Sequence, residues 1–118
     1  MSLESELVTL VAPLVSGGCW PDAADNGTPP PYAVYHQIGG ESPTFIGAEV
    51  PSKRNALIQI DVYCKTKAES IQIMLAVESV LTLATTLQAK PVGAMRGTLD
   101  DESDLRGASQ DFTIWADR

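Results

Sequence analysis

The chain has 118 residues, 44% of them apolar, and fifteen acidic against eight basic side chains leave a formal charge of −7. That length and composition predict one domain with a buried core, and the negative balance opposes nucleic acid or an anionic membrane as the main partner. The longest apolar stretches, around Leu7 to Val15 and Ile73 to Ala84, are broken by polar residues and Pro well short of the roughly 20 residues that cross a bilayer, and the opening Met1-Ser2-Leu3-Glu4-Ser5-Glu6 lacks the basic start of a secretory signal, so the expectation is a cytoplasmic protein.

Leu3, Leu7, Leu10, Val11 and Leu14 recur at three- and four-residue steps. Glu4 and Glu6 stand in the first turn, where the helix dipole favours acids. This predicts an amphipathic helix, with Pro13 late in it and Ser16-Gly17-Gly18 ending it. A short extended piece at Cys19-Trp20 follows. Pro21 to Pro31 is turn and breaker chemistry, with Asn26-Gly27 favouring positive φ and Pro29-Pro30-Pro31 an extended chain, so it reads as a surface loop. Its Asn26-Gly27-Thr28 sequon has little weight without a secretory signal.

Tyr32 to Ile38 is rich in aromatic and β-branched residues and closed by Gly39-Gly40, as a strand should be. Glu41 to Asn55 predicts a long excursion with a brief apolar patch at Phe45-Ile46 and the Lys53-Arg54 pair. Ala56 to Cys64 alternates cleanly, with Ile58, Ile60, Val62 and Cys64 on one side and Leu57, Gln59, Asp61 and Tyr63 on the other, which is the clearest strand signal in the chain.

From Thr66 to about Leu87 the period becomes 3.6. Ile71, Met74, Val77, Val80, Leu81, Ala84 and Leu87 form a broad apolar face, and Thr66 with Glu69 suggests a capping box. Val92 to Leu99 reads as a weak strand with two glycines, and Asp100-Asp101-Glu102-Ser103-Asp104 as an acidic turn. Ala108 to Ala116 reads as a last strand that places Phe112 and Ile114 on one face. The order α-β-β-α-β-β predicts an α+β fold: an antiparallel sheet of about four strands with both helices on one face.

Chemistry is sparse. His36 is the single histidine, and no nucleophile elbow, phosphate loop, zinc-protease or Cys-x-x-Cys pattern occurs. A lone strand histidine is far more often structural than catalytic. Cys19 and Cys64 have neither disulfide-framework nor zinc-ligand spacing and read as free buried thiols. The acidic turn lacks the glycine and distal Glu of a calcium loop, and Lys53-Arg54 is too small for a basic patch. No catalytic residue, metal or cofactor is assigned.

If Val34, Ile38, Ile58, Ile60, Val62, Phe112 and Ile114 form the helix-covered face, the opposite face carries Tyr35, Gln37, Gln59, Asp61, Tyr63, Thr113 and Trp115. Aromatics mixed with hydrogen-bonding groups suit a protein interface. A solvated sheet face with ordinary cross-strand pairs accounts for the same composition almost as well. The interface candidates are Tyr35, Gln59, Asp61, Tyr63 and Trp115, with Lys53 and Arg54 in the adjoining excursion.

Several patterns stand in an order that resembles the tail-completion, or tail-terminator, proteins of siphophages and prophages. They are the N-terminal leucine helix, Trp20-Pro21-Asp22, Pro31-Tyr32-Ala33-Val34-Tyr35-His36-Gln37, Gln59-Ile60-Asp61-Val62-Tyr63 before a long helix, and Gln110-Asp111-Phe112-Thr113-Ile114-Trp115. The resemblance spans nearly the whole chain and lies in order and spacing, since no single motif is a chemical signature. It implies a structural protein, not an enzyme, that forms a ring, hexameric in relatives, caps the tail tube and meets the head-tail connector. It also implies assembly in the host cytoplasm and a place in the virion; a free chain that stays monomeric until the tube templates it is compatible with that role. Two other classes stay open: a small ligand-binding or oligomeric interaction protein, and an enzyme using acids such as Asp61 and Asp111.

Overall fold

The structure is a computed structural model that describes residues 2–42, 52–100 and 104–117. Among these residues are α1 (Leu3–Val11), continued by a 3-10 turn at Ala12–Leu14, and α2 (Lys67–Leu83). They also include strands β1 (Cys19–Pro21), β2 (Tyr32–Gly39), β3 (Lys53–Cys64), β4 (Lys90–Asp100) and β5 (Leu105–Asp117). The Phe45-Ile46 patch and residues 101–103 of the acidic turn lie outside the described residues.

The strands form one sheet in the order β1-β2-β3-β5-β4. β2 with β3, β3 with β5 and β4 with β5 are antiparallel, whereas β1 runs parallel to β2. The fold is α+β as expected, but the sheet has five strands and is mixed. The extra strand is the Cys19-Trp20 segment, which pairs with Ala33 and Val34 as a short edge. Lys53 and Arg54, expected in the excursion, begin β3.

Both helices start on side-chain caps: the Ser2 hydroxyl accepts from the Ser5 amide at 3.1 Å and the Thr66 hydroxyl from the Glu69 amide at 3.2 Å. α2 ends at Leu83 instead of near Leu87, where Thr85 and Thr86 interrupt the good helix formers. Its buried stripe is Ser70, Met74, Val77 and Leu81, narrower than the face the periodicity suggested. Ile71 and Leu75 point outward, and Leu87 is buried beyond the helix end.

Ile58, Ile60, Val62 and Cys64 of β3, with Ala108, Phe112 and Ile114 of β5, meet Leu3, Leu7 and Val11 of α1 and Met74, Val77 and Leu81 of α2 in one core. Both helices therefore cover the same face of the sheet. β2 corrects the sequence reading. Its register sets Ala33 beside Val62, Tyr35 beside Ile60 and Gln37 beside Ile58, while Val34 and His36 sit beside Asp61 and Gln59. Tyr35 and Gln37 thus face the helices and Val34 the other side, the reverse of the alternation assumed above. Ile38 falls in the register shift between Gln37 and Gly39 and is exposed.

At the far edge, β4 is interrupted between Val92 and Arg96, where Gly93 takes a φ of 76° that side chains disfavour. Together with Pro91, which has no amide proton to donate, this breaks up the row of unpaired backbone groups that an edge strand offers.

Ile60 has no exposed surface, so Ile60→Asp places an unpaired charge in the core. The expected cost is about 5 kcal/mol or more, comparable to the whole stability of a small domain. Loss of the cooperative thermal transition and of soluble yield checks this; an unchanged melt refutes the assignment of the buried face.

Candidate functional site

The helix-free face is built by the odd-numbered residues of β3 and their neighbours. Asn55, Leu57, Gln59, Asp61 and Tyr63 lie opposite Trp115, Thr113, Asp111, Ser109 and Gly107 of β5. Gly107 carries no side chain because a Cβ there would overlap the Thr98 hydroxyl and approach the Val62 carbonyl oxygen. The candidates Gln59, Asp61, Tyr63 and Trp115 lie on this face by register, and Lys53 stands at its end, where it also borders a hollow lined by Glu6 and Thr86; Tyr35 and Arg54 lie on the other face.

Cross-strand polar contacts tie the face together. Asn55 Nδ2 donates to Thr113 Oγ1 at 3.0 Å and to the Ile114 carbonyl at 3.1 Å, while its Oδ1 accepts from the Glu41 amide at 2.8 Å. Arg96 Nη2 donates to Ser109 Oγ and Asp111 Oδ1, both at 3.1 Å. Lys53 Nζ lies 2.7 Å from Asp117 Oδ1 and holds that carboxyl below its ordinary range through the hydrogen bond and its charge. Tyr32 and Tyr63, directly opposite in register, bring their ring centroids to 5.3 Å with planes tilted by 31°.

Sequence reasoning missed one constellation. His36 Nε2 lies 3.4 Å from Asp61 Oδ2 and His36 Nδ1 lies 3.6 Å from Asp22 Oδ1. The Asp61 side chain is 9% exposed and also accepts from Gln59 Nε2 at 3.1 and 3.3 Å. His36 and Asp61 are diagonal neighbours across β2 and β3, a relation that follows once the register is known. The two ring nitrogens address different carboxylates at distances longer than a good hydrogen bond. Among the described residues no group of three or more His, Cys, Asp or Glu is placed to hold a metal ion.

Asp22 comes from the loop that joins β1 to β2. Parallel neighbours need a crossover connection, and here residues 22–31 cross on the helix-free side. This loop with Tyr32, Val34, His36 and Tyr63 bounds an open groove of about 560 Å³. Val34 is buried there although it faces away from the helices. The loop returns tightly past Gly17, whose amide donates to the Pro31 carbonyl at 2.7 Å and where a Cβ would overlap the Pro29 carbonyl oxygen. The Pro30–Pro31 peptide bond is cis.

On the helix side, Arg54 Nη1 donates to Glu4 Oε1 at 2.8 Å and Nη2 to Gln37 Oε1 at 2.9 Å. Tyr35 packs against the core, and burial, then the nearby Cys19, Glu4 and Asp22, raises its phenol pKa. Arg54 thereby joins α1 to the sheet. Cys64 is buried as expected while Cys19 is half-buried, and burial pushes both thiols up to about 11. No helix among the described residues is long and apolar enough to cross a membrane. No protein-family model matches the chain, and no curated protein matches it at a significant level.

The Glu4–Arg54 pair gives a test with a defined sign. Burial raises the Glu4 pKa, but a backbone hydrogen bond and the Arg54 guanidinium outweigh it and hold the carboxyl below its ordinary value of 4.5. A depressed folded-state pKa contributes stability at neutral pH that is lost as pH falls below 4.5 toward the folded value. Both side chains are about a third exposed, so Glu4→Gln is expected to cost no more than about 1 kcal/mol at pH near 7. In urea titrations that difference shrinks on acidification; a difference that grows contradicts the pairing.

Proposed function

We propose that this chain is a structural subunit of a long-tailed phage or prophage, one that caps the finished tail tube as a ring and joins it to the head connector. The observation that carries the proposal is the helix-free face. It is a broad surface of aromatic and polar side chains, tied together by hydrogen bonds and ion pairs between and along its strands. Rigid aromatic and hydrogen-bonding groups bind partners at low ordering cost. The order of local motifs along the chain supports the same reading.

A tube presents one ring of identical sites at its end. A cap must match that ring without repeating it, which heterologous contacts closing into a ring achieve. Gln59, Asp61, Tyr63, Trp115 and Lys53 are the contact residues of this proposal. Tyr35 and Arg54 drop out because Tyr35 packs against the core and Arg54 binds Glu4 of α1. The charge of −7 on each chain makes such a ring strongly negative, and like-charge repulsion lets DNA pass through its lumen without adhering.

The test is genetic and visual. Electron micrographs of a host phage or prophage lacking this gene should show overlong tails or tails without heads, rescued by the wild-type chain. A Tyr63→Ala/Trp115→Ala double variant that still melts cooperatively should fail to rescue. Tails of normal length with heads attached in the deletion would sink the proposal.

A further inference from the structure

We infer that the groove between the crossover loop and the helix-free face is a binding site for an arginine side chain carried on an extended segment of a partner protein. The inference stands on the groove alone and does not rest on the ring proposal. Its floor is apolar and aromatic: Val34 lies beside the Tyr32–Tyr63 pair. Its rim is acidic: Asp22, with a side chain 87% exposed, and Asp25, also exposed, both line it. Among the described residues no Lys or Arg lines it; the one basic side chain there is His36, whose Nδ1 lies 3.6 Å from Asp22 Oδ1, so no permanently charged group of the described chain opposes the negative potential of the rim.

This pairing of surfaces selects a guest. A guanidinium is planar, lies well against aromatic rings and forks onto carboxylates, while its aliphatic stem covers apolar surface. An anion would be repelled by Asp22 and Asp25, and a wholly apolar guest would use the floor and gain nothing from the rim. At about 560 Å³, the groove has room for a side chain with flanking backbone, more than a small free amine fills. The described arginines Arg54, Arg96 and Arg106 each already face a carboxylate of their own chain, which favours another protein over a second copy as the source.

The experiment is an NMR titration of the isotope-labelled full chain with an unstructured Gly/Ser octapeptide holding one central arginine. Saturable shifts are expected at Tyr32, Val34, Tyr63 and residues 22–28. The same peptide with citrulline, which keeps the shape and loses the charge, should bind about tenfold more weakly or worse. An Asp22→Asn/Asp25→Asn double variant should lose a similar factor with an unchanged melt, since Asn tolerates the φ of 60° at position 22. Equal binding of the citrulline peptide, shifts centred elsewhere, or no shifts overturn the site. N-acetylarginine amide binding as tightly as the peptide overturns the assignment to a protein segment. The titration needs only the isolated chain, so its failure is distinct from a failure of the ring reading.

Discussion

β3 lies between β2 and β5, pairing along its whole length with β5 and from Leu57 to Tyr63 with β2, so its side-chain parity propagates across the sheet. With Ile58, Ile60 and Val62 turned to the helices, register forces Ala33 and Tyr35 inward on one side and Ala108, Phe112 and Ile114 inward on the other. Each large apolar side chain so buried contributes roughly 1.5–3 kcal/mol relative to exposure. A slip of one residue would carry Asp61 under α1 and α2 and turn Ile60 to the outer face. Core formation and the composition of the candidate site are therefore one choice seen from two sides.

The same sheet explains where the groove comes from. β1 is a short strand that joins in parallel, so the chain must recross the sheet before β2 can begin. With both helices on one face, the crossover loop occupies the other. It covers Val34, brings Asp22 to His36, and is admitted at its far end because Gly17 has no side chain. A connection that completes the edge of the fold thereby gives an otherwise flat face its concavity.

The elements with a strong period were legible in the residues: the Ala56–Cys64 part of β3 and the end of β5 fall where the patterns place them, and α1 and α2 start there but stop early, α1 passing into a 3-10 turn after Val11 and α2 ending at Leu83. The faces of β2 were not. Ala33 and Tyr35 on one parity compete with Val34 and Ile38 on the other, and the long connection from β2 to β3 gives no tight turn from which to count register. Tyr35 and Arg54 were misplaced for this reason and because β3 begins earlier than its alternation suggests. The His36–Asp61 contact and the groove depend on tertiary placement, with Asp22 and Asp61 brought to one imidazole from distant parts of the chain. No local pattern encodes that.

The two thiols carry a consequence for handling the protein. At a pKa of about 11, both are overwhelmingly protonated near neutral pH, and the thiolate is the nucleophile that attacks alkylating agents and disulfides. Cys64, with no exposed surface at the end of β3, becomes reactive when that end of the sheet opens, whereas half-buried Cys19 on β1 answers to a smaller fluctuation of the edge. Their relative rates of modification therefore form a built-in gauge that separates fraying of the edge from opening of the centre.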